Sequence, residues 1–209
     1  MKKIILILMM GLIMGCVGLE TKQEVSPSNI FTDSKSGTAL KIDDGFEYKG
    51  TFSNSNVLYP SNTDGRLRQN SNYYAWEKGT SYVLILFKTL TDEGAYWNRV
   101  TAPNKIWSIE IKKEKLGGKK WVTGFQNTTL KKWQLAETNK LGIYPPKGRY
   151  VTKAWVRNSK AQTNIRIYYF EKKNMNTKEI KERGYLTDAE RTFINEFEGR
   201  ANRAITFIK

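Results

Sequence analysis

The apolar positions change period along the chain. An unbroken apolar run covers residues 4–15, a polar stretch follows to about residue 45, short alternating segments fill 46–172, and helical spacing takes over past residue 187. In "FEYKGTF" alternate residues share a face, which puts Phe46, Tyr48 and Phe52 on one side of a strand. "SYVLILFKTL" is almost continuously apolar and short, which predicts a strand covered on both faces. "KIWSIEIKK" sets Trp107, Ile109 and Ile111 against Ser108, Glu110 and Lys112, and "KKWVTGF", "LKKWQLA", "GRYVTKAWVR" and "NIRIYYFEK" add further strands. Paired glycines accept positive φ, so Gly117-Gly118 between lysine-rich arms predicts a hairpin turn. Pro145-Pro146-Lys147-Gly148 ends one connection and Asn158 to Ala161 links the last two strands.

This spacing of short strands predicts a mainly β domain over 46–173, a β-sandwich of immunoglobulin-like or jelly-roll kind or a small barrel. "YPPKGRYVTKAWVRN" and the strand after it resemble the closing strands of bacterial immunoglobulin-like domains. Residues 174–209 read as a charged connector, closed by Gly184, and a C-terminal amphipathic helix. Thr187 and Glu190 stand at capping-box spacing. Phe193, Ile194, Phe197, Ala201, Ala204, Ile205 and Ile208 recur on one helical face. That face is expected to pack on the sandwich; the alternative is docking on a partner or a bilayer, since Arg191, Arg200, Arg203 and Lys209 lie opposite.

The opening apolar run is 12 residues long, from Ile4 to Gly15, behind Lys2 and Lys3. A membrane span needs roughly 20 apolar residues, whereas a secretory signal carries a cationic start and roughly 7 to 15. Ile13-Met14-Gly15-Cys16 resembles a bacterial lipobox. The resemblance implies removal of residues 1–15, lipidation of Cys16 and anchorage to a membrane without a spanning helix. Val17 stands where an inner-membrane retention aspartate would resemble the enteric signal, which favours the outer membrane or cell surface. Residues 16–45, polar and rich in turn formers, read as the lipidated terminus and a flexible tether.

Composition narrows the chemistry. The chain has no histidine and one cysteine, Cys16. Nucleophile systems that rest on an imidazole base, and zinc sites built on His or Cys, are therefore excluded. Carboxylate and lysine chemistry remain, so the expectation is a non-enzyme without cofactor or metal. With 35 basic against 20 acidic residues the formal charge is +15, which attracts anionic surfaces and polymers unless it reflects codon bias alone. The expected partners are the membrane, an envelope or cell-surface protein, and as an alternative a glycan or anionic polymer. Nucleic acid does not suit an exported chain.

Three groups of residues carry candidate binding chemistry. Lys119-Lys120-Trp121 and Lys131-Lys132-Trp133 are near copies flanking "VTGFQNTTL". With Gln126 to Thr129 as a bend, Trp121 and Trp133 fall opposite each other, either as aromatic planes among lysines or as an inward core pair. Tyr73, Tyr74 and Trp76 follow the polar loop "SNTDGRLRQNSN", and with Tyr96 and Trp97 they form either a carbohydrate or peptide platform or a plug for one end of the core. Asn62, Asp64, Asp92 and Glu93 offer oxygen ligands without the spacing of a calcium loop. Carboxylate-based glycan hydrolysis would need a pair such as Asp92 or Glu93 with Glu110.

Overall fold

The structure, a computed structural model, describes residues 23–58, 65–97, 108–129, 138–172 and 187–209, with the side chains of 108–110 and 127–129 left aside. Cys16, Asn62, Asp64, Trp107, Lys131, Lys132, Trp133 and the charged connector lie outside the described residues.

Among the described residues twelve elements build a mainly β fold. β1 (Gln23–Val25), β2 (Ile30–Asp33), β3 (Thr38–Ile42) and the C-terminal β11 (Ile205–Phe207) form a four-stranded antiparallel sheet in the order β1-β2-β3-β11. The larger sheet has seven strands, β4 (Glu47–Leu58), β5 (Leu67–Lys78), β6 (Ser81–Leu90), β7 (Ser108–Leu116), β8 (Lys119–Thr129), β9 (Arg149–Lys160) and β10 (Thr163–Lys172). Their order is β4-β5-β6-β10-β9-β8-β7, antiparallel throughout. Two meanders, β4 to β6 and β7 to β10, thus meet along the β6–β10 ladder. One helix, α1 (Asp188–Ala204), precedes β11.

Both faces of the sheet's central strands are buried. On one face Tyr74, Trp76, Val83, Ile85, Phe87, Trp121, Phe125, Trp155, Ile165 and Ile167 meet Phe31, Leu40 and Ile42 of the small sheet and Ile194, Phe197 and Ala201 of α1. On the other, Tyr73, Ala75, Tyr82, Leu86, Tyr150 and Phe170 pack with Leu141 and Ile143 of the β8–β9 connection. β6 supplies Val83, Ile85 and Phe87 to the first layer and Tyr82 and Leu86 to the second, so its expected double burial is observed.

The capping box forms: Thr187 accepts from the Glu190 amide, and the Glu190 side chain accepts from the Thr187 amide. Helical spacing predicts continuation to Ile208, but α1 stops at Ala204. The β-branched pair Ile205-Thr206 and Phe207 instead complete the small sheet against β3. Gly117 and Gly118 have φ of 54° and 75° and make the β7–β8 turn as expected.

Two local readings are corrected. The polar stretch expected as a tether is folded from Gln23 onward, because three of its apolar residues, Phe31, Leu40 and Ile42, are fully buried against the large sheet. The stretch lacks amphipathic period because its strands are only 3 to 5 residues long. Second, Tyr48 and Phe52 fall on opposite faces. The register slips between Tyr48 and Gly50, and this bulge, with Gly50 at φ 117°, inverts the alternation. Tyr48 therefore packs on Trp76 at 5.0 Å, whereas Phe52 stacks on Tyr73 at 4.5 Å.

Candidate functional site

Antiparallel pairing gathers connections at the two ends of the large sheet. The end of β4, the start of β5, residues 91–97, the β7–β8 turn and the β9–β10 turn share one end, the upper end. The β5–β6 turn and the entry into β4 lie at the lower end.

Tyr73, Tyr74 and Trp76 belong to β5 and are buried, not presented by a loop. Trp76 donates through Nε1 to Asn29 Oδ1 at 3.3 Å, and the Tyr74 hydroxyl donates to Gln23 Oε1 at 2.9 Å. The platform reading of these three rings gives way to the core reading. Tyr96 and Trp97 behave differently. Tyr96 is 63 % exposed, while Trp97 is half-buried and tied to the β9–β10 turn by its amide to Ala161 O (2.8 Å) and its indole to Gln162 O (2.9 Å). Beside them a polar chain crosses the sheet: Arg166 Nε donates to Asn164 Oδ1, Asn164 Nδ2 to Asn158 Oδ1, both at 2.8 Å, and Asn158 Nδ2 to Trp97 O at 3.4 Å.

Of the lysine–tryptophan repeats the structure describes the first. Gln126 to Thr129 pair with Thr152 to Arg149 in β9, so this segment is strand and not the bend that would oppose Trp121 to Trp133. Trp121 is buried, with Phe207 edge-on at 5.1 Å and the Arg157 guanidinium 5.3 Å from its ring centre. Lys120 is exposed opposite Lys115 in the β7–β8 ladder, and Lys119 lies beside the turn at Gly37. Trp121 therefore offers no surface plane, while the lysines remain at the surface.

Two cations escape a reading by composition. Val151, Lys153, Trp155 and Arg157 alternate on the core face of β9. Lys153 is 1 % exposed; its Nζ donates to Glu198 Oε1 at 2.8 Å and Asn202 Oδ1 at 2.9 Å, and lies near the rings of Phe125 and Trp155. Arg157 is 8 % exposed and donates to Ser36 O at 3.3 Å, while its Nε has no partner. Burial pulls its pKa below the ordinary arginine value and the Asp33 charge pulls it back. A signal existed: Tyr150, Thr152, Ala154 and Val156 fill the opposite face, so β9 is covered on both sides and Lys153 must be inside. Both cations fasten the covering layer to the sheet; neither is open to a substrate.

The sheet's two edges also differ. β7 carries Lys112, Lys113, Glu114 and Lys115 and a register slip between Ile109 and Lys112. β4 is uncharged from Gly50 to Leu58, regular beyond Gly50, and has no strand on its outer side among the described residues. Ser53 and Ser55 hydroxyls donate across to Asn72 and Asn70 at 2.8 Å, so small polar side chains lie flat along this edge.

Asp92 accepts from the Arg68 amide, and among the described residues no group of three acids stands ready for a metal ion. No described helix is long and apolar enough to cross a membrane. No known protein family, curated protein or solved structure matches the chain.

Proposed function

We propose that the chain is an exported, lipid-anchored, non-catalytic binding or assembly protein of a bacterial envelope, facing the outer membrane or cell surface, which takes a strand of a protein partner along β4. The observation that carries the reading is the contrast between edges. An unpaired strand edge is a template for further pairing, and folds guard such edges with charge, proline or bulges. β7 has both charge and a bulge, whereas β4 confines its bulge and its charges, Glu47 and Lys49, to its first residues and continues as nine consecutive uncharged residues, 50–58, in regular ladder geometry. Strand addition draws affinity from main-chain hydrogen bonds, which suits an edge lined by serine and asparagine. The apolar layer shared by the two sheets supports a sandwich of immunoglobulin-like or jelly-roll kind.

Photoreactive residues at Ser55 and at Lys113 test the reading in cells. A single dominant adduct from Ser55 that is lost in Ser53→Pro, and none from Lys113, is the expected result; matching adducts from both edges would refute it. Mass spectrometry of the processed N-terminus reads lipidation directly, and Cys16→Ser should leave an unprocessed form.

A second reading, glycan binding, is favoured by the Asn158–Asn164–Arg166 chain beside Trp97 and the exposed Tyr96. Amide and guanidinium donors next to an aromatic ring suit sugar hydroxyls. Binding on a glycan array that disappears with Asn164→Ala and Tyr96→Ala would move the site from the β4 edge to the upper end.

A further inference from the structure

We infer that the upper end of the seven-stranded sheet lies against an anionic phospholipid surface. The inference deepens the lipid-anchored reading and rests on it for the leash, though not for the charge. Gln23 already belongs to β1, so seven peptide units separate it from Cys16 and can span at most about 25 Å. The folded part is thereby kept near the bilayer instead of standing off by several nanometres.

The point of entry is fixed. Gln23 Nε2 donates to Asp33 Oδ1 at 3.3 Å, and its Oε1 accepts from Asn72 and Tyr74, both at 2.9 Å. Asp33 leads into the β2–β3 turn, and that turn sits at the upper end, since Arg157 bonds Ser36 O and a Cβ on Gly37 would stand 3.2 Å from Lys119 Nζ. The leash therefore enters beside the end that carries the lysines.

Charge acts together with the leash. Lys35, Lys115, Lys119, Lys120 and Lys160 cluster at this end without an acidic partner among the described residues. Among the described residues Asp33, Asp92, Glu93 and Glu114 are the acids nearby; Asp33 accepts from the Ser36 amide and Gln23, and Asp92 from the Arg68 amide. At the lower end Lys41 pairs with Asp44, Lys49 with Glu47 (2.7 Å) and Glu77 (3.5 Å), and Lys78 with Asp43 (3.2 Å), while Lys147, Arg149 and Lys172, at the start of β9 and the end of β10, have no acidic partner among the described residues. The Lys78 hydrogen bond lowers the Asp43 pKa accordingly. Among the described residues the upper end combines unpaired lysines with the entry point of the chain, which the lower end lacks. Each lysine near an anionic bilayer strengthens partitioning about fivefold, an effect confined to roughly a Debye length. Tyr96 at the same end presents an amphipathic ring at headgroup height.

The test uses the processed form, residues 16–209 with Cys16→Ser, which holds every described element and no lipid. Its sedimentation with phosphatidylcholine vesicles is compared with and without phosphatidylglycerol. The expected result is binding that needs phosphatidylglycerol and weakens at least about tenfold in the triple variant Lys115→Ser, Lys120→Ser, Lys160→Ser. The lower-end triple Lys147→Ser, Arg149→Ser, Lys172→Ser should change binding less than about twofold, with melting curves verifying that both variants fold. Binding without preference for the acidic lipid, or equal losses in both variants, would overturn the inference. So would tighter binding to soluble polyphosphate than to vesicles, which would assign the end to a polymer. An unmodified Cys16 in the wild type with vesicle preference intact would remove the anchor and keep the lipid-facing end; a lipidated Cys16 without vesicle preference would remove the lipid-facing end and keep the anchor.

Discussion

The two faces of the seven-stranded sheet are buried by different chemistry. One face receives α1 and the small sheet, and under that cover lie Lys153 and Arg157. The other receives Leu141 and Ile143 over a floor of Tyr73, Tyr82, Leu86, Tyr150 and Phe170. An apolar floor accepts any apolar cover of the right volume, whereas a buried cation must be met by specified oxygens. The first cover is thus chosen by chemistry as well as by hydrophobicity: α1 brings Glu198 and Asn202 to Lys153, the β2–β3 turn brings Ser36 O to Arg157, and Arg200 forks onto Glu171 at 2.9 and 3.0 Å. Specification by ion pairs is the device that holds one helix in one register over a sheet with several apolar stripes.

The comparison can be broken at several strengths. Trp155→Ala removes the largest ring between the two cations and should cost roughly 3–5 kcal/mol in urea unfolding, because the layer pinned on both sides cannot collapse into the cavity. Glu198→Ala should cost about 3 kcal/mol, the low end for breaking a buried pair, since Asn202 still accepts from Lys153 and Glu198 is 23 % exposed. Lys153→Met with Glu198→Gln should recover to within about 1 kcal/mol of the wild type, as apolar replacement of buried pairs commonly does. If the double variant is as weak as Glu198→Ala, the pair itself stabilises the cover. On the opposite face Leu141→Met should cost less than about 1.5 kcal/mol, because volume is all that cover must supply.

Alkaline titration probes both faces together. Burial pushes Tyr48, on the first face, and Tyr150, on the second, up to about 12 from an ordinary 10.0. Tyr169 is raised as well, by burial first and then by its bond to Glu171. The folded state then holds protons that the unfolded chain releases. The tyrosines' contribution to stability should be constant below about pH 10 and be lost as pH rises through about 12, with Tyr48→Phe and Tyr150→Phe each flattening the decline. The smallest effect expected is Thr187→Ala, about 1 kcal/mol from loss of the cap, read by thermal melting.

Patterns confined to one element were legible in advance. The double burial of β6, the Gly117-Gly118 turn and the capping box at Thr187 each follow from neighbouring residues, because alternation, positive φ and orphan amides are local matters. The side of the core that a strand faces was harder: the slip at Lys49 reverses every residue after it, and a bulge leaves no clear mark in "FEYKGTF". The candidate site split for the same reason. Tyr73, Tyr74 and Trp76 have the composition of a recognition cluster, and only the pairing of β5 between β4 and β6 places them inside. Tyr96 and Trp97 look alike in sequence, yet the hydrogen bonds of Trp97 to Ala161 and Gln162 leave Tyr96 in solvent.

By itself the sequence determined the β character, the closing helix, the excess of positive charge and the exclusion of imidazole and thiolate chemistry in the body of the chain. These depend on residue type and short-range period. The tertiary structure decided that residues 23–42 fold with β11, that Lys153 and Arg157 are buried, that Lys41, Lys49 and Lys78 find acids, and that β4 has no strand on its outer side among the described residues. Each depends on contacts between residues far apart along the chain, such as Arg157 with Ser36 or Lys78 with Asp43. A local pattern states what a residue prefers, and only the packed sheets state what it meets.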